Sequence, residues 1–524
     1  MKEILSIILF SVTILSFSNT NKTFQKSGLN ILVFTRTETY RHHSISDGLK
    51  SIREISDEQL WEMTATEDPS FFNTTYLEKV DVIVFLNTSG NILNKEEKKD
   101  FENFIRNGGG FVGIHAASDT EYNWPFYQDL IGAQFKNHPE VQKARLIVHK
   151  NTRHPATNFL ENEWITTDEW YYFKEPLKEH CNVLLELDES TIKRKITTGK
   201  PHPISWFHEK FVGRTFYTGL GHTKVQYANP FFKEHLKNAI LWAGKQYDIQ
   251  ISNTWNNLLD KDLTKWNSFI GVPHTSVTLP FEFPKKDDVK KGKPLGLNND
   301  PLQVFSVIED KKGVFVLKIS GEIYGGLTTK NMYQNYHFKC EFKWGDKKWE
   351  PRLDAKRDTG ILFHATGKHG AFWNVWMRSL ECQVQEKDFG DFFPLSGTIA
   401  DIPVKDSTHK EGHIYDANGK EITSAYIEKY RGGRIRRSKN MENAHGEWNT
   451  LEIYTVDDKA VFIVNDELVS ALKNTRYQES NNLEIPLHGG RIQIQSEGAE
   501  GYYRAIQIRG IDVFPKEILK ITGW

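Results

Sequence analysis

GGGFVGIHAASD, residues 108 to 119, decides how the first half of the chain is read. FVGIH is a short apolar run that reads as a buried strand, and the small residues after it can open a helix. The glycines close the preceding stretch, KEEKKDFENFIRNGG, whose apolar positions recur at helical spacing. His115 therefore falls at a strand-to-helix turn, where α/β enzymes often carry a nucleophilic Ser or Cys. An imidazole at that turn leaves three readings open: a catalytic centre, the remains of one, or a binding site of another kind.

The same texture extends on both sides. ILVFT (31–35) and VDVIVFL (80–86) are further apolar runs, and SISDGLKSIREI between them places Ile45, Leu49 and Ile52 on one helical face. Strands alternating with helices predict a parallel sheet covered on both faces, here an α/β domain over residues 28–247. Such sheets bind ligands at the carboxyl ends of their strands. Eleven of the 19 histidines precede residue 248, several beside turn signals. The candidate binding residues are Arg41 and His42 after the first strand, His115, Ser118 and Asp119 at the turn, and His138 in NHPE. Asp168, Glu169 and Trp170 in TDEWYYF and His222 in GLGH complete the set. Glu169 and the histidines suit metal binding, acid–base work or hydrogen bonding to sugar hydroxyls. No tight ligand spacing such as HExxH accompanies them.

From residue 252 the pattern changes to short strands separated by Gly, Asn and Asp turns, predicting an all-β sandwich or jelly roll over 252–515. Alternation is strict in LECQVQ and GGRIQIQS: Cys382 and Val384 stand against Glu381 and Gln383, and Ile492 and Ile494 against Gln493 and Gln495. The polar set, with Glu497 beyond it, suits either a solvent face or a groove that reads hydroxyls. Trp344, Trp349, Trp373 and Trp376 are available to wall such a groove. The long segment 272–296 is expected to decorate this domain, and the basic stretch RGGRIRRSKN (431–440) to be a solvated turn.

The bulk numbers agree with two globular domains. The chain has 524 residues, 38% of them hydrophobic, with 14 Trp, 19 Tyr and 33 Phe. A formal charge of -1 gives no reason to expect nucleic acid or an anionic membrane as partner. Three cysteines, Cys181, Cys340 and Cys382, are too few for a disulfide scaffold and are expected as free thiols. MKEILSIILFSVTILSFSNTNK reads as a signal peptide over residues 1–22, so the mature protein is expected in the periplasm or outside the cell.

Two resemblances cover the chain. The ordered motifs GGGFVGIHAASDTEYNW, DLIGAQFKNHPE, HPATNFL, TDEWYYF, HPISWFHEKFVGRTFYTGLGH and NAILWAG resemble the ThuA-like, trehalose-utilisation family. That resemblance implies a flavodoxin-like fold akin to class I glutamine amidotransferases, and a link to disaccharide metabolism through 3-keto sugars. Amidotransferases carry Cys at the elbow, whereas this chain has His115, which cannot supply the thiolate that glutamine hydrolysis needs. TWNNLLDKDLTKWNSF, GGLTTK, YHFKCEFKW, DTGILFH, LECQVQ, GEWNTLEIY, VNDELV and GGRIQIQSEGAEGYYRAIQI are similar to the 3-keto-disaccharide hydrolase family, which implies a concanavalin A-like jelly roll. Asp358-Thr359-Gly360 stands where that family usually shows Asn-Ser-Gly, the Arg that tends to stand near His364 is not seen, and segments 273–300 and 345–357 are insertions.

The second resemblance implies a chemistry. A ketone at sugar C3 acidifies the C2 proton; a base removes it, the C1 substituent leaves, and water then adds. This route needs a base, a stabiliser for the enolate oxygen and an acid for the leaving group, unlike the paired-carboxylate route. Glu381 or His364 is the expected base, with Gln383 and Arg504 near the oxyanion and Gln495 and Glu497 binding substrate. A divalent ion bridging O2 and O3 would do the same electrostatic work, with His364 and Glu381 as part of its site. Two alternatives stay open at this stage. One is a lectin-like binding protein with an inactive α/β domain. The other is an ordinary glycosidase, which would need Glu497 as a second carboxylate facing Glu381.

Overall fold

The computed structural model describes residues 28–174, 176–193, 201–248, 251–405, 412–427, 430, 433–480 and 482–524. The expected signal peptide lies outside them. The first half is built on a nine-stranded mixed sheet. Its strands Glu62–Thr66, Asn30–Phe34, Val82–Leu86, Gly110–Ile114 and Thr215–Thr218 are parallel neighbours in that order. Pro203–His208, Asn182–Leu187, Gln142–Val148 and Glu163–Asp168 continue the sheet antiparallel. The parallel reading thus holds for five strands, of which Asn30–Phe34, Glu62–Thr66, Val82–Leu86 and Gly110–Ile114 follow one another through helices. Thr215–Thr218 is entered instead by the short loop 209–214 from Pro203–His208, and so short a loop permits only antiparallel pairing. Strands Val82–Leu86 and Gly110–Ile114 are buried throughout, so they read as unbroken apolar runs.

Helix Lys95–Arg106 packs Phe101, Phe104 and Ile105 inward. It starts in a capping box: Asn94 accepts from Glu97 N, and Glu97 Oε2 accepts from Asn94 N at 2.7 Å. Loss of such a cap costs about 1 kcal/mol. Two glycines after this helix the chain enters the strand that delivers His115.

The second half is a sandwich of a nine-stranded and a twelve-stranded sheet, antiparallel within the sandwich itself. Ile361, Cys382, Ile492 and Ile494 point between the sheets and meet Phe338, Cys340, Phe342 and Tyr503 from the other side. All three cysteines are free; Cys340 and Cys382 are buried as small apolar residues. Segment 272–296 is almost without regular structure, as expected of a decorating loop. The basic stretch departs from expectation. Arg434 and Arg437 are tied to Asp391 at 2.5 and 2.9 Å, and Ile435 is buried, so the segment is docked rather than solvated.

The two halves are joined by more than a linker. Tyr247–Asp248, at the expected boundary, pairs in parallel with Met332–Tyr333 of the sandwich. Tyr477 donates to Glu234 at 3.0 Å, Arg491 to Gln59 at 3.1 Å, and Asn158 to Gln334 at 3.1 Å.

Candidate functional site

Two polar centres emerge, one per half. In the first, His115 has φ 48°, a left-handed backbone that a non-glycine residue adopts at a cost. This turn is the one read from GGGFVGIHAASD, and it aims the ring inward. His115 Nδ1 lies 2.7 Å from the Gly219 carbonyl and donates to it, and Tyr171 packs on the ring at 4.0 Å between centroids. Its Nε2 faces Glu169 Oε2 at 3.4 Å. His222 Nδ1 reaches the same oxygen at 3.1 Å, and His138 Nδ1 the other carboxylate oxygen at 2.8 Å. His42 closes the group, its ring edge-on to those of His115 and His222 at 4.9 and 5.1 Å.

The convergence of histidines expected from the sequence is therefore real for His42, His115, His138, Glu169 and His222. Ligand atoms of His42, His115, Glu169 and His222 all lie within 4.8 Å of one another. Burial raises the Glu169 carboxyl, but the neighbouring His115 and His222 outweigh it and hold the pKa at about 2. Burial, then the neighbouring His115 and His222, pushes His42 down to about 2. Asp168 is a positioning group: its carboxylate accepts from the backbone of Gly221, His222 and Thr223, and so fixes the loop that carries His222.

Four first-half candidates stand elsewhere. Arg41 lies at the surface in an ion pair with Glu67 at 2.6 Å. Trp170 is a core residue whose indole donates to Gln142 O at 2.9 Å, because alternation on the Glu163–Asp168 strand continues inward past its end. Ser118 donates back to His115 O and accepts from Tyr217, bracing the turn. Asp119 is held by the Tyr122 hydroxyl, with burial raising its carboxyl.

The second centre lies on one face of the nine-stranded sheet. Strand Gly360–Thr366 pairs Leu362 with both Glu381 and Gln493, and Gly360 with Gln383. Cross-strand partners share a face, so the two polar rows read separately in the sequence are one surface. It is no solvent face: Glu381, Gln383, Gln493 and Gln495 are 4, 5, 0 and 1% exposed. Gln493 is structural, accepting from Met377 N and donating to Thr328. Glu381 and Gln495 lean together over Gly360, where a Cβ would overlap Glu381 Oε1 and come within 2.5 Å of Gln495 Oε1. Both of those oxygens, and Asp358 Oδ1, are buried without a hydrogen-bond donor among the described residues.

Arg352, which nothing in the sequence pattern singled out, supplies one cation here, and Arg434 lies close enough to act on Glu381 as well. The Arg352 guanidinium lies 2.6 Å from Asp358 and binds Glu497 as well. Gln385 donates to Asp358 at 2.5 Å. Burial, and then the Asp358 and Glu497 charges, push the Glu381 carboxyl well above its ordinary range. Arg352 also donates to Tyr324, whose ring stacks on Trp376 at 5.8 Å. Trp376, Phe372 and Trp373 continue this aromatic wall, whereas Trp344 and Trp349 donate to Glu442 and Ser320 away from it.

Two expected partners of Glu381 do not join it. His364 takes φ 49° at a bulge that turns its ring toward Tyr336 and Phe363 in the core. Burial, then His488, push it down to about 3. Arg504 sits on the twelve-stranded sheet, paired with Glu341 on its outer face and lying over Trp448 at 4.1 Å. The expected His364–Glu381 metal pair is thus not formed; the convergent donor set lies in the first half.

Comparison with known proteins gives each half a family model. Residues 30–243 match the family model described as trehalose utilisation, ThuA, and residues 254–509 that of the 3-keto-alpha-glucoside-1,2-lyase-like domain. None of the curated proteins compared matches the chain. A solved protein from Bacteroides uniformis, provisionally described as ThuA-like, is 23% identical over 43% of this chain and 94% of its own, with a TM-score of 0.37. A second from Parabacteroides merdae, described likewise, is 17% identical over 41% and 90%, with a TM-score of 0.36. One from Parabacteroides distasonis, provisionally described as a glycosyl hydrolase, is 16% identical over 49% and 100%, with a TM-score of 0.25. Among the described residues no helix is long and apolar enough to cross a membrane. The chain is a ThuA domain followed by a 3-keto-disaccharide hydrolase-like domain, the architecture of a glycosidase-like, carbohydrate-active protein.

Proposed function

We propose that the sandwich half cleaves 3-keto glycosides by elimination, with Glu381 as the base. The observation that carries this reading is the buried carboxyl itself. Glu381 Oε1 is buried without a hydrogen-bond donor among the described residues, and burial raises its pKa against the opposing charges of Arg434 and Arg352, the setting that makes a carboxylate a stronger base. The two nearby carboxyls are differently placed, both bound by Arg352. That leaves one free base rather than two facing carboxylates, which favours elimination over the oxocarbenium route.

In this reading Glu381 takes the proton from C2, and the C2–H electron pair enters the C2–C3 bond as charge moves onto the C3 oxygen. The enolate then expels the C1 substituent, whose oxygen takes a proton and departs. Water adds to the resulting double bond, oxygen at C1 and hydrogen at C2, completing a net hydrolysis. Arg352 provides positive charge close to the developing oxyanion, and the unpaired oxygens of Gln495 and Asp358 accept from sugar hydroxyls. Trp373, partly exposed beside the buried Tyr324 and Trp376, offers an apolar face to the ring. The test is turnover by the purified protein of a 3-keto glucoside and of its parent glucoside. Cleavage of only the former supports the reading, and cleavage of the parent alone defeats it. The apolar run at Ile4–Phe17 supports export as part of the same proposal. N-terminal sequencing of the protein recovered outside the cytoplasm checks it, and an intact Met1 on cytoplasmic protein contradicts it.

A further inference from the structure

We propose that the ThuA half binds one divalent transition-metal ion of the zinc class through His115 Nε2, a ring nitrogen each of His42 and His222, and Glu169 Oε2. The inference starts from a hydrogen bond on the far side of the His115 ring. Donation from Nδ1 to the Gly219 carbonyl at 2.7 Å leaves Nε2 as a lone pair in the neutral ring. That lone pair is fully buried, has no hydrogen-bond donor among the described residues, and faces a carboxylate oxygen at 3.4 Å. His42 Nδ1 and His222 Nδ1 are likewise buried without such a partner.

Three imidazole rings and a carboxylate thus face one another, the ring centres of His42 and His222 at 4.9 and 5.3 Å from that of His115 and the ligand atoms all within 4.8 Å. A single cation at the centre of the group accepts all four electron pairs at once. The surroundings have the form that metal ligands require. His138 holds Glu169 Oε1, leaving Oε2 for the ion; Asp168 fixes the loop of His222; Gly219 fixes the tautomer of His115. Three imidazoles and one carboxylate suit zinc and its borderline neighbours, not calcium or magnesium. The side chains of His138 and His222 are 41 and 24% exposed, so an ion and an oxygen ligand can enter from that side.

The other convergent group, His180, Cys181 and His208, lacks these properties. His180 Nε2 and His208 Nε2 face the carbonyls of Asp129 and Leu130. His208 Nδ1 accepts from Lys210 N, and burial pushes the Cys181 thiol up to about 12.

The test uses the full-length protein, stripped with a chelator and titrated with Co²⁺ by visible spectroscopy and with Zn²⁺ by calorimetry. The expected result is one ion per chain and a Co²⁺ spectrum of a nitrogen-rich, low-coordinate site that Zn²⁺ displaces. The thermal midpoint should rise with Zn²⁺ concentration by mass action. His115→Ala abolishes the Co²⁺ spectrum, and His138→Asn, which removes only support for Glu169, weakens binding about 10–100-fold. Absence of stoichiometric uptake by folded wild-type protein, or equal uptake by His115→Ala, overturns the proposal. Should His115→Ala fail to fold, X-ray absorption of the Zn²⁺-loaded wild type still decides: three nitrogen ligands support the site, and an all-oxygen shell overturns it.

Discussion

Replacing Glu381 with Gln separates what this carboxyl does for stability from what it does for chemistry. Its folded pKa lies well above the ordinary 4.5, chiefly through burial, so the folded protein binds this proton more tightly than the unfolded chain. Unfolding free energy therefore falls as pH rises from the ordinary carboxyl range up to the raised folded value, and the deficit persists above it. Glutamine has no such limb. Its amide N–H can also donate to Gln495 Oε1, which together with Glu381 Oε1 is buried and unpaired over Gly360. Relieving a buried unsatisfied polar group returns about 1–3 kcal/mol. At about 2–4 °C per kcal/mol for domains of some 150–250 residues, the sandwich transition should rise by roughly 2–12 °C at neutral pH. The same substitution removes the base and should lower turnover of a 3-keto glucoside by about 10²–10⁴-fold. Thermal unfolding followed at pH 5 and pH 8, beside initial rates, reads both effects, and the stabilisation should be larger at pH 8. A variant that is less stable than wild type at pH 8, or fully active, refutes the reasoning.

Four further substitutions, three in the same centre and one away from it, have definite outcomes. Removing one of the two nearby cations with Arg352→Gln should raise the Glu381 pKa further and move the acid limb of kcat/KM to higher pH; removing a neighbouring carboxylate with Asp358→Asn should move it lower, both read from pH–rate profiles. Gly360→Ala places a Cβ against Glu381 and Gln495 and should cost about 1–3 kcal/mol in unfolding experiments as well as most of the activity. Arg504→Ala removes a surface ion pair on the other sheet; it should cost about 0–1 kcal/mol in a denaturant titration and leave kcat/KM at the wild-type value.

Most of the fold was legible because periodicity carries it. The apolar runs at 31–35 and 80–86, the helix at 95–106 and the alternation at 381–385 and 492–495 each name an element and its inward face. The histidine centre was legible in part, since His115 and His222 follow strand-end and turn signals. The donation to Gly219 that fixes the His115 tautomer joins positions 104 residues apart, which no local pattern reports. In the sandwich, Glu381 stood out by alternation, but its neighbours depend on register. A bulge turns His364 into the core, and only the pairing of Leu362 with both Glu381 and Gln493 shows that two polar rows are one face. Arg352 was invisible for a plainer reason. It comes from an irregular insertion, and its partners Asp358 and Glu497 are set by three-dimensional proximity alone.

The central claim is that one buried carboxylate removes a proton from a carbon beside a ketone. It is met most directly by a 3-keto glucoside carrying deuterium at C2. Slower cleavage of the labelled sugar, with solvent hydrogen appearing at C2 of the product, is the predicted result. Equal rates for both sugars, with the label retained at C2, would contradict it.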